Sequence, residues 1–356
     1  MSPRRSRRIS LKSPLLAVSI GCPSGVGPEI AVQAVTSGPH RVVLVGDPAT
    51  IVRAARLRGI RRPVTIVPRV RDLRHVAPGD LVVWSGSTRL SRPAKPGKPS
   101  QAAGAAQLAW IDEATELVTS GAASALVTGP VSKHAIATSG ARGSKRFLGH
   151  TEHLARTLGA PEVVMAFWAE RLVTSLVTTH LPLAKVPRAI TPEAVARSTY
   201  WLARLLLALG ARKPLVAVAS LNPHAGEGGL LGTEEIDRIG PGIARARARL
   251  ARDRSPATLV GPMGAETAMR RAAAGEIAGV VAMYHDQATI PSKLVAFGDA
   301  VNVTLGLPIV RTSVDHGTAY DVAWKGKADS SGMAGALELA ARLARAKRPP
   351  IDRASR

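Results

Sequence analysis

The 356-residue chain is long enough for two domains of roughly 100–200 residues each, and its 46% hydrophobic content supports buried cores rather than disorder. The formal net charge of +23 raises nucleic acid as a partner, yet aromatic residues make up only 3%, and arginines are spread along segments such as 241–254 (PGIARARARLARDR) that read as a solvated helix face. One cysteine, Cys22, excludes an intrachain disulfide and fits a reducing cytoplasm, and no apolar run approaches the ~20 residues of a membrane span.

Residues 1–13 read as a basic, disordered tail. The stretch Ser6-Arg7-Arg8 with the apolar run after it imitates an export signal, but 14–21 (PLLAVSIG) reads more simply as the first buried strand. Further strand-like runs follow at 42–46, 64–67, 81–84, 124–128, 162–168, 171–179, 215–220, 278–284 and 301–311. Patterns of helical length fall between them at 28–36, 48–58, 101–120, 151–158, 191–210, 233–252, 264–274 and 331–346. Such alternation predicts an α/β protein with helices on a largely parallel sheet. Continuous hydrophobicity in 278–284 predicts strands covered on both faces.

In an open α/β sheet ligands bind at the carboxyl ends of strands, so polar residues just after apolar runs are the first candidates. The segment Gly21–Glu29 (GCPSGVGPE) joins the first strand to a helix, where backbone amides attract anions. Asp47 follows at the spacing of a dinucleotide fingerprint, but Ile30 stands where the third glycine belongs and Pro28 interrupts the pattern. Gly149-His150-Thr151-Glu152 opens another helix, Thr151 being either an N-cap or a ligand contact. Three of nine histidines, His180, His224 and His285, each follow a buried run, and three imidazoles with an open position suit a catalytic divalent ion. Lys293, Asn302 and Arg311 sit in or beside apolar segments, where a cation needs an anion, either a ligand or an internal carboxylate. The stretch Asp315–Gly326 (DHGTAYDVAWKG) is a glycine-containing loop ahead of a helix.

Taken in order, GCPSGVGPEI, LVTGPVSK, GHTEHLA, LVTTHLPL, SLNPHAGEGGLLGTEE, YHDQATIPSK and VNVTLGLPIVRTSVDHGTAYD resemble the 4-hydroxythreonine-4-phosphate dehydrogenase family of pyridoxal phosphate biosynthesis, over about residues 15 to 346. The HGTAYD stretch also resembles the adenosine-binding loop of isocitrate and isopropylmalate dehydrogenases, whose fold the family shares. The resemblance implies a two-lobed α/β/α sandwich without a conventional Rossmann domain. Its lobes would be 14–130 plus 300–350 (cofactor side) and 131–299 (metal site and dimer interface). It implies a cytoplasmic homodimer in which His180, His224 and His285 bind zinc, magnesium, cobalt or manganese, one histidine coming from the second subunit. His150, Thr151, Lys293, Asn302 and Arg311 would contact substrate. His316, Gly317, Thr318, Ala319 and Asp321 would hold the adenosine end of NAD, Asp321 disfavouring a 2′-phosphate.

The implied reaction oxidises the C3 hydroxyl of 4-phosphohydroxy-L-threonine and then releases carbon dioxide to give 3-amino-2-oxopropyl phosphate, the cation stabilising negative charge on oxygen. Asp286 or Lys293 would take the hydroxyl proton. Relatives act on threonate or erythronate 4-phosphate, or on aromatic cis-dihydrodiol carboxylates, so these are the alternative substrates. The chain departs from the family pattern at Cys22, Ala288-Thr289 and Glu266. Two readings of other classes compete: a basic nucleic-acid-binding protein, and a ligand-binding family member without turnover.

Overall fold

Short runs of buried apolar residues build most of the strands in the computed structural model, which describes residues 13–296, 298–346 and 351. The expected basic tail, apart from Ser13, lies outside the described residues. The chain divides into two compact units. One contains the residues up to Phe147 with His316–Ala341, the other Leu148–Asp315 with the residues from Arg342 onward.

The exchange points fall later than the expected 130 and 300. A short helix after residue 130 packs on its neighbour in the first unit, and the two strands beyond residue 300 pair with each other and with a strand of the second unit.

The first unit holds β1 (Leu15–Ser19), β2 (Arg41–Val45), β3 (Val64–Val67), β4 (Leu81–Trp84) and β5 (Ala125–Thr128), all parallel, in the order β3-β4-β2-β1-β5. Helices α1 (Gly27–Ser37), α2 (Pro48–Leu57), α3 (Gln101–Thr119) and α4 (Lys133–Ala137) accompany them. Every residue of β1, β2 and β5 is buried, as coverage on both faces requires. Asp47, at the fingerprint spacing, caps α2. Its carboxylate accepts from the Thr50 N–H at 2.8 Å and the Thr50 hydroxyl at 2.7 Å, with Pro48 opening the helix. At Gly104 a Cβ would lie 1.9 Å from the Ala135 carbonyl oxygen, so α3 needs glycine where α4 crosses it.

The second unit contains β6 (Val164–Ala169), β7 (Leu172–Leu176), β8 (Leu215–Ala219), β9 (Thr258–Met263), β10 (Gly279–Ala282), β11 (Val301–Leu305) and β12 (Arg311–Val314), ordered β12-β11-β6-β7-β10-β8-β9. Strand β11 is antiparallel to both neighbours and β6 is antiparallel to β7, while β7, β10, β8 and β9 run parallel. Its helices are α5 (His150–Thr157), α6 (Val186–Ala189), α7 (Pro192–Ala208), α8 (Gly240–Arg252), α9 (Ala265–Ala273) and α10 (His285–Val295). A last helix, α11 (Ser331–Arg345), begins in the first unit.

Phe167, Leu172, Leu176, Met269 and Val280 share one core cluster under α9 and α10. The buried Trp201 of α7 donates to Glu162 at 3.0 Å, and Arg249 of α8 joins the same carboxylate at 2.8 Å. Four elements were not expected: β9, α10 and the short helices α4 and α6. The run 301–311 is two strands, because Gly306 adopts φ +85° and reverses the chain. Among the described residues no helix is long and apolar enough to cross a membrane.

Candidate active site

The strand order β7-β10-β8 puts the carboxyl ends of three parallel strands side by side, and each candidate metal histidine follows one of them. These ends are stitched together. The Thr178 hydroxyl donates to the Met283 carbonyl at 2.7 Å, binding the end of β7 to that of β10. Gln287 accepts from the Met283 N–H at 2.7 Å and donates to the Ser220 carbonyl at 2.8 Å, binding β10 to β8.

His180 and His285 come together, with ring centroids 5.5 Å apart. The His285 Nδ1 lies 2.7 Å from the Asp286 carboxylate, which orients the ring and leaves Nε2 for a cation, as carboxylate–histidine–metal sites do. His224 is exposed at the same sheet edge but outside that pair, on the rim of an open cavity of about 610 Å³ lined also by Glu266, Tyr284 and Gln287. Among the described residues no three histidine, cysteine, aspartate or glutamate side chains converge on one ion position within a single copy. The imidazole pair, with Nε2 of His285 available, fits two ligands of a borderline divalent ion rather than a full set.

The His224 loop is held under strain. Residues His224, Ala225, Gly226, Glu227 and Gly228 are consecutively left-handed, with φ between 46° and 80°. Such a tract persists only when neighbouring groups over-determine it. The buried Glu235 anchors the residues that lead into it. Its Oε1 accepts from the N–H groups of Leu221 and Asn222, both at 2.8 Å, and its Oε2 accepts from the Asn222 amide at 2.9 Å. Glu235→Ala is expected to lower activity and metal affinity about ten- to a hundredfold, the range for groups that orient metal ligands. Metal content after dialysis and a thermal melt check it; unchanged metal content would assign Glu235 to stability alone.

The second cluster lies on β11, β12 and α5. Antiparallel register sets Thr304 opposite Arg311 and Asn302 opposite Ser313, and residues two apart on a strand share a face. Arg311 is buried, and burial lowers its pKa to about 10, the nearby Glu152 opposing the shift. The guanidinium donates to Thr304 Oγ1 at 2.8 Å, and Thr304 Oγ1 is 3.3 Å from Thr151 Oγ1. The Asn302 Oδ1 is buried with no hydrogen-bond partner among the described residues. Half-buried His150 opens α5 and Thr151 follows it, so Thr151 does not serve as an N-cap. Lys293 differs from the expectation of a buried cation: it is exposed on α10, because the helix turns that position outward. Asp286 is exposed on the same helix and engaged with His285.

The 316–321 stretch lies in the first unit, with His316, Gly317 and Asp321 exposed and Thr318 and Ala319 half-buried. The first glycine loop spends part of its amides on the fold itself: Cys22 N–H donates to the Pro130 carbonyl at 2.7 Å, and Val26 N–H to the Thr318 carbonyl at 3.0 Å. A Cβ on Gly25 would lie 2.6 Å from the Thr318 oxygen, so only glycine allows this approach. Fully buried Glu29 accepts from the Trp324 and Gly326 N–H groups, the latter at 2.9 Å. The Trp324 indole donates to the Pro23 carbonyl at 2.9 Å. Buried Cys22 sits 3.5 Å from the Tyr320 hydroxyl, and burial raises the pKa of both. The loop therefore serves as a bed for 316–326. Asp321 offers an exposed carboxylate of the kind that accepts from ribose hydroxyls.

Comparison with known proteins adds the decisive observation. A family model described as "Pyridoxal phosphate biosynthetic protein PdxA" matches residues 39–340. The chain belongs to this family. A 4-hydroxythreonine-4-phosphate dehydrogenase from Desulfosudis oleivorans is 40% identical over 332 residues, covering 92% of this chain and 95% of the relative. A relative from Cutibacterium acnes, provisionally named D-threonate 4-phosphate dehydrogenase, is 37% identical over 94% of this chain and 95% of its own. The crystal structure of 4-hydroxythreonine-4-phosphate dehydrogenase from Klebsiella pneumoniae matches with a TM-score of 0.80 and 35% identity, covering 94% of this chain and 100% of that one. The α/β architecture is thus that of the PdxA family. The family members compared are dehydrogenases, which agrees with the paired imidazoles at the strand ends.

Proposed function

We propose that this PdxA-family chain is an NAD- and divalent-metal-dependent dehydrogenase. It oxidises and decarboxylates 4-phosphohydroxy-L-threonine to 3-amino-2-oxopropyl phosphate. The observation that carries the reading is that one unit joins an imidazole pair to a buried guanidinium in hydroxyl contact with the start of α5. When bound, the cation supplies positive charge beside the reacting oxygen and NAD supplies the hydride acceptor.

The chain's own residues supply the rest. Arg311, Thr151 and His150 bind the substrate's anionic group, and Asn302 meets a hydroxyl or amino donor with its unused Oδ1. Asp286 orients His285, and Asp286 and Lys293 are the two candidate bases for the hydroxyl proton. His316, Gly317, Thr318, Ala319 and Asp321 hold the adenosine end, Asp321 favouring NAD over a 2′-phosphorylated cofactor.

In this reading the ion site is completed by a second copy of the chain, one histidine of the three coming across a homodimer interface. Exposed Leu183 (70%), Leu230 (84%) and Leu294 (80%) support it, since they lie on the same segments as the three histidines and a dimer would cover them.

The substrate is tested by turnover of the purified protein with NAD and a divalent ion. The expected result is a higher kcat/KM for 4-phosphohydroxy-L-threonine than for threonate or erythronate 4-phosphate. The opposite order would make the chain a sugar-acid phosphate dehydrogenase, the reading that the Cutibacterium acnes relative favours.

A further inference from the structure

Thr304 belongs to none of the contacts that the family resemblance assigns, yet it stands between two that it does. Its side chain is buried (3% exposed) on β11, and its described partners are two: the Arg311 guanidinium at 2.8 Å and the Thr151 hydroxyl at 3.3 Å. A guanidinium has no acceptor, so Arg311 must be the donor in the first contact. The direction of the second follows. If Thr151 donated to Thr304, the Thr304 hydrogen would be left buried without an acceptor, a costly arrangement. Thr304 therefore donates to Thr151, and the Thr151 hydrogen is left for a group outside this set, since the Thr151 hydroxyl has no other partner among the described residues.

We propose that Thr304 is a specificity-determining positioning residue. It takes the polarity imposed by Arg311 and passes it to Thr151, so that Thr151 is fixed as a donor toward the substrate. The inference rests on the reading of His150, Thr151, Asn302 and Arg311 as substrate contacts. A fixed donor beside a cation selects a group that only accepts, namely an ionised phosphate or carboxylate oxygen. It discriminates against a neutral group that must donate. The relay also works at a distance, since Thr304 need not touch the substrate to set what Thr151 offers it.

The test uses the full-length enzyme with its metal and NAD. Thr304→Val removes the hydroxyl with little change of shape, and Thr304→Ser restores it. The valine variant is expected to raise KM for the phosphorylated substrate about ten- to a hundredfold, with kcat and the KM for NAD within about twofold, the range for losing a charge-assisted hydrogen bond. Serine is expected to return KM to within about threefold of wild type.

Inorganic phosphate as a competitive inhibitor separates the two oxyanions. A weakened Ki in the valine variant assigns the Thr151 hydrogen to phosphate, and an unchanged Ki with raised KM assigns it to carboxylate; both uphold the relay. Thr151→Val provides the control against a folding defect. Combined with Thr304→Val it is expected to add nothing, because both cut the same relay. Additive losses, a wild-type KM in Thr304→Val, or equal defects in valine and serine would overturn the proposal. If Arg311→Met also left KM untouched, the substrate-site reading itself would fail. With Arg311→Met impaired and Thr304→Val normal, only the relay fails.

Discussion

His285→Ala is expected to abolish turnover, with a loss on the order of a thousandfold or more, while leaving the fold intact. The ring is partly exposed and its Nδ1 faces the carboxylate of exposed Asp286, so little packing is lost with it. Metal content and a thermal melt should separate ligand loss from unfolding. The same substitution at His224 should behave alike despite its separate loop, and full activity in either variant would refute the ligand assignment. Mixing the two dead variants gives a sharper result. If one site draws on two copies, subunits carrying His224→Ala and His285→Ala should form hybrids with one intact site of two. Statistical mixing then restores about a quarter of wild-type activity. No recovery after refolding the mixture, with dimers present, would place all three ligands in a single copy.

Arg311→Met is the second large effect. Replacing the buried guanidinium by a thioether of similar length should lower kcat/KM about a hundred- to a thousandfold, mostly through KM, since substrate would lose a buried charge partner. Stability should hold or rise, because burying an ion is costly and a buried apolar side chain is not. Steady-state kinetics and a melt check both arms; a destabilised variant with normal KM would make Arg311 structural.

The pH dependence follows from the lowered pKa. Burial disfavours the charged form, so the proton leaves as pH rises through about 10. Anion binding by this group should be constant through neutrality and weaken above that pH. The stability cost of burying the charge is present below about pH 10 and is relieved above it.

Much of this was legible before any coordinates. The positions of His180, His224 and His285 after apolar runs put them at strand ends, and the parallel register of β7, β10 and β8 places those ends in one row. Burial of Arg311 was readable because a cation inside VNVTLGLPIVRTSV needs an anion. The same argument misled at Lys293, since α10 was invisible: Pro291 lies inside it and broke the helical pattern. Strand β9 was hidden by Gly261-Pro262, which punctuates an otherwise apolar run. Glu29, Glu235 and Thr304 carried no local signal. Their partners are Trp324, Asn222, Arg311 and Thr151, and such pairings are set by the tertiary fold, not by sequence spacing.

The unbroken stretch Leu148–Asp315 carries every residue proposed for ion and substrate, whereas the segment 316–326, proposed for the cofactor, comes later in the chain and lies on the bed made by Gly25 and Glu29. Heredity can therefore edit the two duties separately. Mutations confined to one continuous span of codons are enough to retune which alcohol is accepted. Reseating the 316–326 segment instead draws on two distant places in the gene, the early turn and the late one.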